Sequence, residues 1–331
     1  PRKGGKLRVA GATAAATDTL DPSKQSNQTD YSRCNMVYNG LTWLDGSLTP
    51  QPALAESFTT SDAKTWVFKL RSGVTFHDGK ALTPADVVWS ILRHKDPATG
   101  SRAKVLADQI ESVKATGPAE VTMVLAAPNA DLPVILGTFH FHILKEGTTD
   151  FAAGIGTGPY KLKEFRPGVR SVVVRNDAYW GDKPGFAKVT FRIIKNEPAR
   201  MAALLSGDVD AIEQPPTADL ARLKSDPRFT LTSKISHRVI YFNFDYLDRP
   251  SPFVTDKDGK PLAKNPLLDP RVRRAMSKAI NRPAIAERVM EGQAIPSGQL
   301  VSDKLFGFVP GLKPDAYYPE GAKKLLAEAG Y

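Results

Sequence analysis

Between Gly156 and Gly181 the chain reads GTGPYKLKEFRPGVRSVVVRNDAYWG, and no other stretch restricts the fold so tightly. Gly156-Thr157-Gly158-Pro159 is a turn cluster. Glycine admits backbone angles closed to other residues, Pro159 fixes its own φ, and the residue before a proline is pushed toward extended geometry. Tyr160 to Phe165 alternates apolar and polar residues, Pro167-Gly168 supplies a turn, and Ser171 to Arg175 is rich in β-branched side chains. The spacing predicts a hairpin in mid-chain behind a stiff turn. The expectation is that the chain returns here from a small domain into a large one, with a ligand cleft beside it.

The 331 residues suffice for two or three domains. Leu7 to Ala10 predicts a first strand, Gly11 to Gln28 a polar loop, and Tyr31 to Asn39 a helix. Thr65 to Leu70 alternates as a strand, and Asp78-Gly79 is a hairpin signal. Thr83-Pro84-Ala85-Asp86 starts a helix through a capping box with proline at its first position, and Val88, Ile91 and Leu92 are its expected buried stripe. Ile110 to Ala115 and Val121 to Ala126 predict paired strands. A short helix near Leu132 to Leu136 precedes an expected strand from Phe139 to Leu144. Further on, Lys188 to Ile194, Val209 to Ile212, Phe229 to Ile235 and Arg238 to Phe244 are predicted strands. Helices opened by Pro198 and running from Thr217 to Leu223 intervene, and this alternation argues a mixed α/β domain. After Leu268, Asp269-Pro270 and Pro319 open helices with few strands to pack on, so the expectation is a third domain present only in part.

Lys and Arg number 45 against 35 Asp and Glu, a formal net charge of +10. The cations are scattered, and the densest group, Arg271, Arg273 and Arg274, falls in one short predicted helix. This argues a solvated surface and no nucleic-acid partner, which would need a clustered basic face with interleaved aromatics. No apolar run has the length of a transmembrane helix. Pro1 to Lys6 reads as a processed or trimmed N-terminus. The single Cys34 excludes an internal disulfide framework and reads as a structural thiol.

Catalytic patterns are missing. Gly154-Ile-Gly156-Thr-Gly158-Pro159 fails as a dinucleotide loop, because a proline and then a strand follow it. Asp256-Lys-Asp258-Gly259 fails as a calcium loop, because Leu267 stands where a glutamate is needed. No nucleophile elbow, zinc-hydrolase motif or phosphate loop occurs, so no enzyme activity and no cofactor are expected. The histidines are His77, His94, His140, His142 and His237. On a strand, His140 and His142 would share a face and form a candidate metal pair, although no Asp, Glu or Cys within that strand completes it. Phe139-His140-Phe141 and Tyr241-Phe242-Asn243-Phe244 fall where the chain is expected to change domain, and segments of that kind line ligand clefts.

The chain resembles the extracytoplasmic solute-binding proteins of the peptide/nickel family (solute-binding family 5), the binding components of ABC importers. The resemblance rests on Tyr38-Asn-Gly-Leu41 with Pro52-Ala-Leu-Ala-Glu-Ser57, and on Trp66-Val-Phe-Lys-Leu-Arg-Ser-Gly-Val-Thr-Phe-His-Asp-Gly79 with Thr83-Pro-Ala-Asp-Val-Val88. Gly156-Thr-Gly-Pro-Tyr160, Asn176-Asp-Ala-Tyr-Trp180, Leu205-Ser-Gly-Asp-Val-Asp210 and Arg271-Val-Arg-Arg-Ala275 with Ala279-Ile-Asn-Arg282 agree with it. It implies an α/β, class II periplasmic-binding-protein-like fold: two lobes with a hinge plus an extra small domain, the C-terminal part truncated here. The implied partition is domain I over 1–38 and 156–243, an inserted domain II over 39–155, and an incomplete domain III over 244–331. It further implies a periplasmic monomer, its signal peptide removed, that closes on a peptide or other small solute and delivers it to an ABC permease. Candidate ligand-binding residues are Thr17, Asp18, Thr19, Phe139, His140, Tyr241 and Asn243, with Arg274 as counter-charge to a ligand carboxylate. The alternative is a metal- or chelate-handling protein, or a scaffold-derived enzyme, using His140 and His142. Dipeptide, oligopeptide, opine, sugar and nickel chelate all remain open as ligands.

Overall fold

The computed structural model describes residues 4–14, 18–234, 238–303 and 307–331. The chain forms two compact units, Pro1–Pro216 and Thr217–Tyr331.

The first unit holds two cores. One lies on a five-stranded sheet made of β1 (Lys6–Gly11), β8 (Tyr160–Arg166), β9 (Arg170–Arg175), β10 (Lys188–Ile193) and β11 (Ala211–Ile212). The strand order is β11-β1-β10-β9-β8. β10 and β11 both run parallel to β1 and flank it, while β9 and β8 continue antiparallel beyond β10. The register sets Leu7 against Val189, Val9 against Phe191 and Val189 against Val173. These side chains therefore share a face, since alternate residues of a strand point the same way. Helix α1 (Gln28–Val37) contributes Cys34 and Val37 to the same core. α1 starts where Asn27 Oδ1 accepts the Asp30 N–H at 3.1 Å, which satisfies one of the donors every helix start leaves unpaired.

The other core belongs to the insertion between α1 and β8. Strands β4 (Ala55–Thr60), β5 (Thr65–Leu70), β6 (Ile110–Gly117) and β7 (Glu120–Leu125) form a sheet of order β4-β5-β7-β6, and β2 (Thr42–Leu44) pairs with β3 (Pro50–Pro52). Helix α2 (Pro84–Lys95) begins with the expected capping box: Asp86 accepts the Thr83 N–H and Oγ–H, both at 2.8 Å. Of the expected stripe, Ile91 is buried and Val88 packs against the core, while Leu92 is 47% exposed; Val87 and His94 are also inside, so the most buried face runs i, i+4, i+7. The insertion also holds the short helices α3 (Lys104–Ala107) and α4 (Leu132–Leu136).

The mid-chain hairpin forms as predicted. β8 and β9 pair antiparallel across a turn with Gly168 at φ 69°. The glycines before it are needed for a different reason than expected. A Cβ on Gly156 would lie 2.1 Å from the Val37 carbonyl oxygen, and one on Gly158 would lie 2.5 Å from the Val37 carbonyl carbon. The turn is pressed against the end of α1, and only residues without side chains fit. His77 fastens the turn to the insertion. Its Nδ1 accepts the Gly156 N–H at 3.2 Å, its Nε2–H donates to the Gly158 carbonyl at 3.0 Å, and its own N–H donates to the Gly156 carbonyl at 2.8 Å. Burial, only partly offset by these backbone contacts, lowers its pKa and keeps the ring neutral.

The expected strand from Phe139 to Leu144 does not form. Phe139–Phe141 is a 3-10 turn, closed by the Phe141 N–H on the Thr138 carbonyl at 3.1 Å. Phe141, His142, Ile143 and Leu144 are all buried in succession, which a two-faced strand does not allow.

After β10, helix α5 (Glu197–Leu205) leads back to β11. Arg200 on α5 is 1% exposed and ties the strand ends together. It donates to the carbonyls of Ile194 at 2.9 Å, Glu213 at 2.9 Å and Gln214 at 2.7 Å.

The second unit contains α6 (Leu220–Ser225), α7 (Pro270–Ala279), the single turn α8 (Arg282–Ala284) and α9 (Pro319–Glu328). Val272 and Ala275 of α7 and Ala322 of α9 are buried where those helices pack together. The strands expected over 229–235 and 238–244 are not seen among the described residues of those segments. Ile240, Tyr241 and Phe242 are exposed. Residues 256–259 form a hairpin tip, with Gly259 at φ 79° donating to the Asp256 carbonyl at 3.1 Å.

Candidate ligand-binding site

In sheets with parallel strands, ligands bind beyond the carboxyl ends, where connections leave in opposite directions. In the first unit that edge is built by residues 11–14 after β1, 194–196 after β10 and 213–214 after β11. The first turn of α1 stands over it. The Glu213 carboxylate receives the Thr29 and Ser32 hydroxyls and the Ala12 N–H, each at 3.4 Å. Thr13 Oγ lies 3.3 Å from Asn27 Oδ1 and 3.4 Å from Thr29 Oγ. Gly11 lets α1 close onto the edge, because a Cβ there would approach Thr29 Oγ1 to 2.8 Å.

The loop after β1 is anchored by charge. Arg33 of α1 contacts Asp18 through both terminal nitrogens and Asp30 at 2.8 Å, and all three side chains are within 2% of full burial. Its guanidinium also lies over the Phe165 ring, 5.1 Å from the centroid. Asp18 accepts the Gly168 N–H at 2.6 Å, so the tip of the β8–β9 hairpin holds the loop. Burial acts to raise the Asp18 carboxyl, but Arg33 and Gly168 outweigh it and its pKa falls; at Asp30 burial prevails and the pKa rises. A second pair fixes the loop further on: Arg93 of α2 donates to both Asp21 oxygens, at 2.9 and 2.5 Å.

These contacts involve several of the expected site residues. Asp18 is the loop's internal anchor and presents no free carboxylate. Thr19 is half-buried, its Oγ accepting the Asp21 N–H at 3.0 Å. Phe139 and His140 lie beside this loop: Phe139 stacks on Tyr31 of α1 at 3.6 Å between centroids, and His140 Nε2 sits 3.2 Å from the Gln25 carbonyl. Phe139 and His140 thus both contact the segment from Gln25 to Tyr31. Thr17 lies outside the described residues, as does His237. In the second unit Tyr241 and Asn243 are exposed. Arg274 is also exposed and faces Asp315 at 3.7 Å.

The metal pair is not built. His140 and His142 sit on a turn rather than on one strand face, and His142 Nε2 is paired with Asn35 Oδ1 at 3.1 Å. Burial drives the His142 pKa to about 3 and lowers that of His140. Among the described residues no group of three His, Cys, Asp or Glu side chains is placed to hold a metal ion. Cys34 is buried, and desolvation raises its pKa far above the ordinary thiol range, consistent with a structural thiol.

A cavity of about 640 Å³ lies at the other end of α1, lined by Asn35, Asn39, Trp43, Phe139, His142 and Trp180, among others. Asn39 organises its wall, accepting from Thr157 Oγ at 3.1 Å and from Trp180 Nε1 at 3.3 Å.

Residues 49–331 match the family model described as bacterial extracellular solute-binding proteins, family 5 Middle. The dipeptide-binding protein of Escherichia coli K12 is 30% identical over 94% of this chain and 61% of its own length. The nickel-binding periplasmic protein of the same strain is 31% identical over 90% of this chain and 56% of its own length. Among solved structures, the periplasmic binding protein DppA of Helicobacter pylori, in complex with the peptide STSA, superposes with a TM-score of 0.80 at 24% identity. That superposition covers 100% of this chain and 67% of that one. The fold is thus that of the periplasmic binding proteins, and the chain belongs to family 5 of the bacterial extracellular solute-binding proteins. It spans about 61% of the length of the dipeptide-binding relative, and its relatives are binding proteins. No helix among the described residues is long and apolar enough to cross a membrane.

Proposed function

We propose that the chain is part of the substrate-binding component of an ABC importer, which captures a peptide or another small solute outside the cytoplasm and delivers it to a membrane permease. The observation that carries this reading is the polar edge beyond β1, β10 and β11, in a chain of this family. Hydroxyls, the Ala12 N–H and one carboxylate converge there, and no nucleophile–base pair accompanies them among the described residues. Such an edge suits binding without turnover: it offers directional hydrogen bonds, and waters can bridge what a given ligand does not reach. Thr19, Phe139 and His140 are the proposed contacts from the first unit. Thr17, Tyr241 and Asn243 remain proposed contacts, as do Arg274, which is exposed beside Asp315, and Asp18, whose carboxylate also holds Arg33 and Gly168. A periplasmic, monomeric protein is the corresponding expectation. Thermal-shift and calorimetric screening of dipeptides, oligopeptides, opines, sugars and nickel chelates tests the proposal. Stabilisation at saturating ligand, with the ligand recovered unchanged, supports it. Chemical conversion of a bound compound, or no response to any class, refutes it.

A further inference from the structure

We propose that Glu213 selects for a cationic group on the ligand, an ammonium or guanidinium carried by the solute. This rests on the solute-binding reading above and adds the chemical class that the edge prefers. The side chain stands at the carboxyl end of β11, beside the loop leaving β1, and is half-buried. Its three donors, Thr29, Ser32 and Ala12, all lie at 3.4 Å. That is the long limit of a hydrogen bond, and a carboxylate offers about four acceptor positions. No Lys or Arg forms an ion pair with it among the described residues, whereas the buried carboxylates Asp18, Asp21 and Asp30 each have an arginine and the buried Asp86, which has none, is held by three neutral donors at 2.8 Å, much nearer than those of Glu213. Arg200 is the nearby exception in sequence terms, and it is spent: its donors go to the carbonyls of Ile194, Lys195, Glu213 and Gln214.

The position is also rigidly built. The Glu213 N–H donates to the Ala10 carbonyl at 3.0 Å while Arg200 holds its carbonyl at 2.9 Å, so the backbone is fixed on both sides. Oε2 takes both the Thr29 hydroxyl and the Ala12 N–H, so the spare acceptor position is on Oε1, which receives the Ser32 hydroxyl. The arrangement is a fixed, partly desolvated negative charge with unused acceptor capacity at the carboxyl edge of a sheet. An ammonium brings up to three donors and a guanidinium five, with the compensating charge. A plain structural role, partnering the first turn of α1, would leave ligand charge irrelevant.

The test is calorimetric titration of the 331-residue chain and its Glu213→Gln variant with matched probes. The pairs are peptides with free and acetylated N-termini, and peptides with lysine or norleucine at one position. These separate a terminal ammonium from a basic side chain. The parent should favour the cationic member of at least one pair. Glu213→Gln should weaken that member about 10- to 100-fold, the range for losing a charge-assisted hydrogen bond. The neutral member should move less than about twofold. Glu213→Asp, which keeps the charge, should retain the preference, and it serves as the test if the Gln variant melts early. A parent that binds only neutral or anionic solutes overturns this inference while solute capture stands. So does a Gln variant that weakens both members equally or neither. A parent that binds no probe or solute removes both readings.

Discussion

Replacing Arg33 with methionine should destabilise the first unit severely at neutral pH and much less in acid. In the parent, one buried guanidinium is shared by Asp18 and Asp30 and rests on Phe165. Methionine retains much of the packing volume but leaves two carboxylates facing each other without water. Removing one partner of a buried pair costs about 3–5 kcal/mol, because the remaining charge stays uncompensated. For a unit of this size that corresponds to a fall of roughly 10 °C in Tm. Urea unfolding followed by tryptophan fluorescence suits the measurement, since Trp43, Trp66, Trp89 and Trp180 all lie in the first unit. The pH dependence has a definite sign. In the parent, the lowered Asp18 pKa contributes stability above the unfolded carboxylate value that is lost as pH falls through the folded one. In the variant both carboxyls titrate above their unfolded values, so acidification relieves the penalty, and the deficit should shrink as pH drops from about 7 to about 5. Adding Asp18→Asn and Asp30→Asn to the methionine variant should recover part of the loss at neutral pH. A deficit below about 1 kcal/mol, or one unchanged across that pH range, would refute the reasoning; both are outside what a buried, uncompensated pair allows.

Burial holds His94 at about 4 and His142 at about 3. Both folded values lie below the ordinary value of 6.5, so stability is full above that value and declines as pH falls toward the folded ones. Each contributes a slope of roughly 1.4 kcal/mol per pH unit inside that window. His94→Gln should flatten the stability–pH profile between 6.5 and about 4, and an unchanged slope would count against it. Gly156→Ala forces a Cβ onto the Val37 carbonyl oxygen and should cost about 1–3 kcal/mol in urea unfolding, whereas Gly168→Asn, at the open hairpin tip, should cost under about 1 kcal/mol. Asn39→Ala strips the partners of Thr157 and Trp180 and should lower stability by about 1–3 kcal/mol, read as a shift in the urea midpoint.

The sequence reveals an element wherever its signal is local. The β8–β9 hairpin, the α2 capping box and the tip at 256–259 are each spelled out within a short stretch, and each is found. Failures arise where burial is set by distant parts. Phe139 to Leu144 looks alternating on paper, yet four successive side chains enter the interior, and a turn results. The segments 229–235 and 238–244 have strand composition, but a strand also needs a neighbour to pair with. Glu213 escapes a reading of the sequence because its role depends on β11 lying beside β1, and its contact with Ala12 spans 201 positions of the chain. The only hint is its place just after a short predicted strand. Asp18 stands out in a loop of small residues; its partner Arg33 does not, because a helix arginine ordinarily faces water.

His77 has a use beyond holding its turn. One imidazole touches both the insertion and the return into the large sheet, with a different role for each ring nitrogen. Its two nitrogen chemical shifts therefore form a built-in gauge of that junction. If the turn at Gly156 and Gly158 lifts away, the Nδ1 lone pair and the Nε2 proton lose their partners together, and both resonances move. A solute captured at the far edge of the sheet that strains this junction would register in those two signals, with no label introduced into the protein.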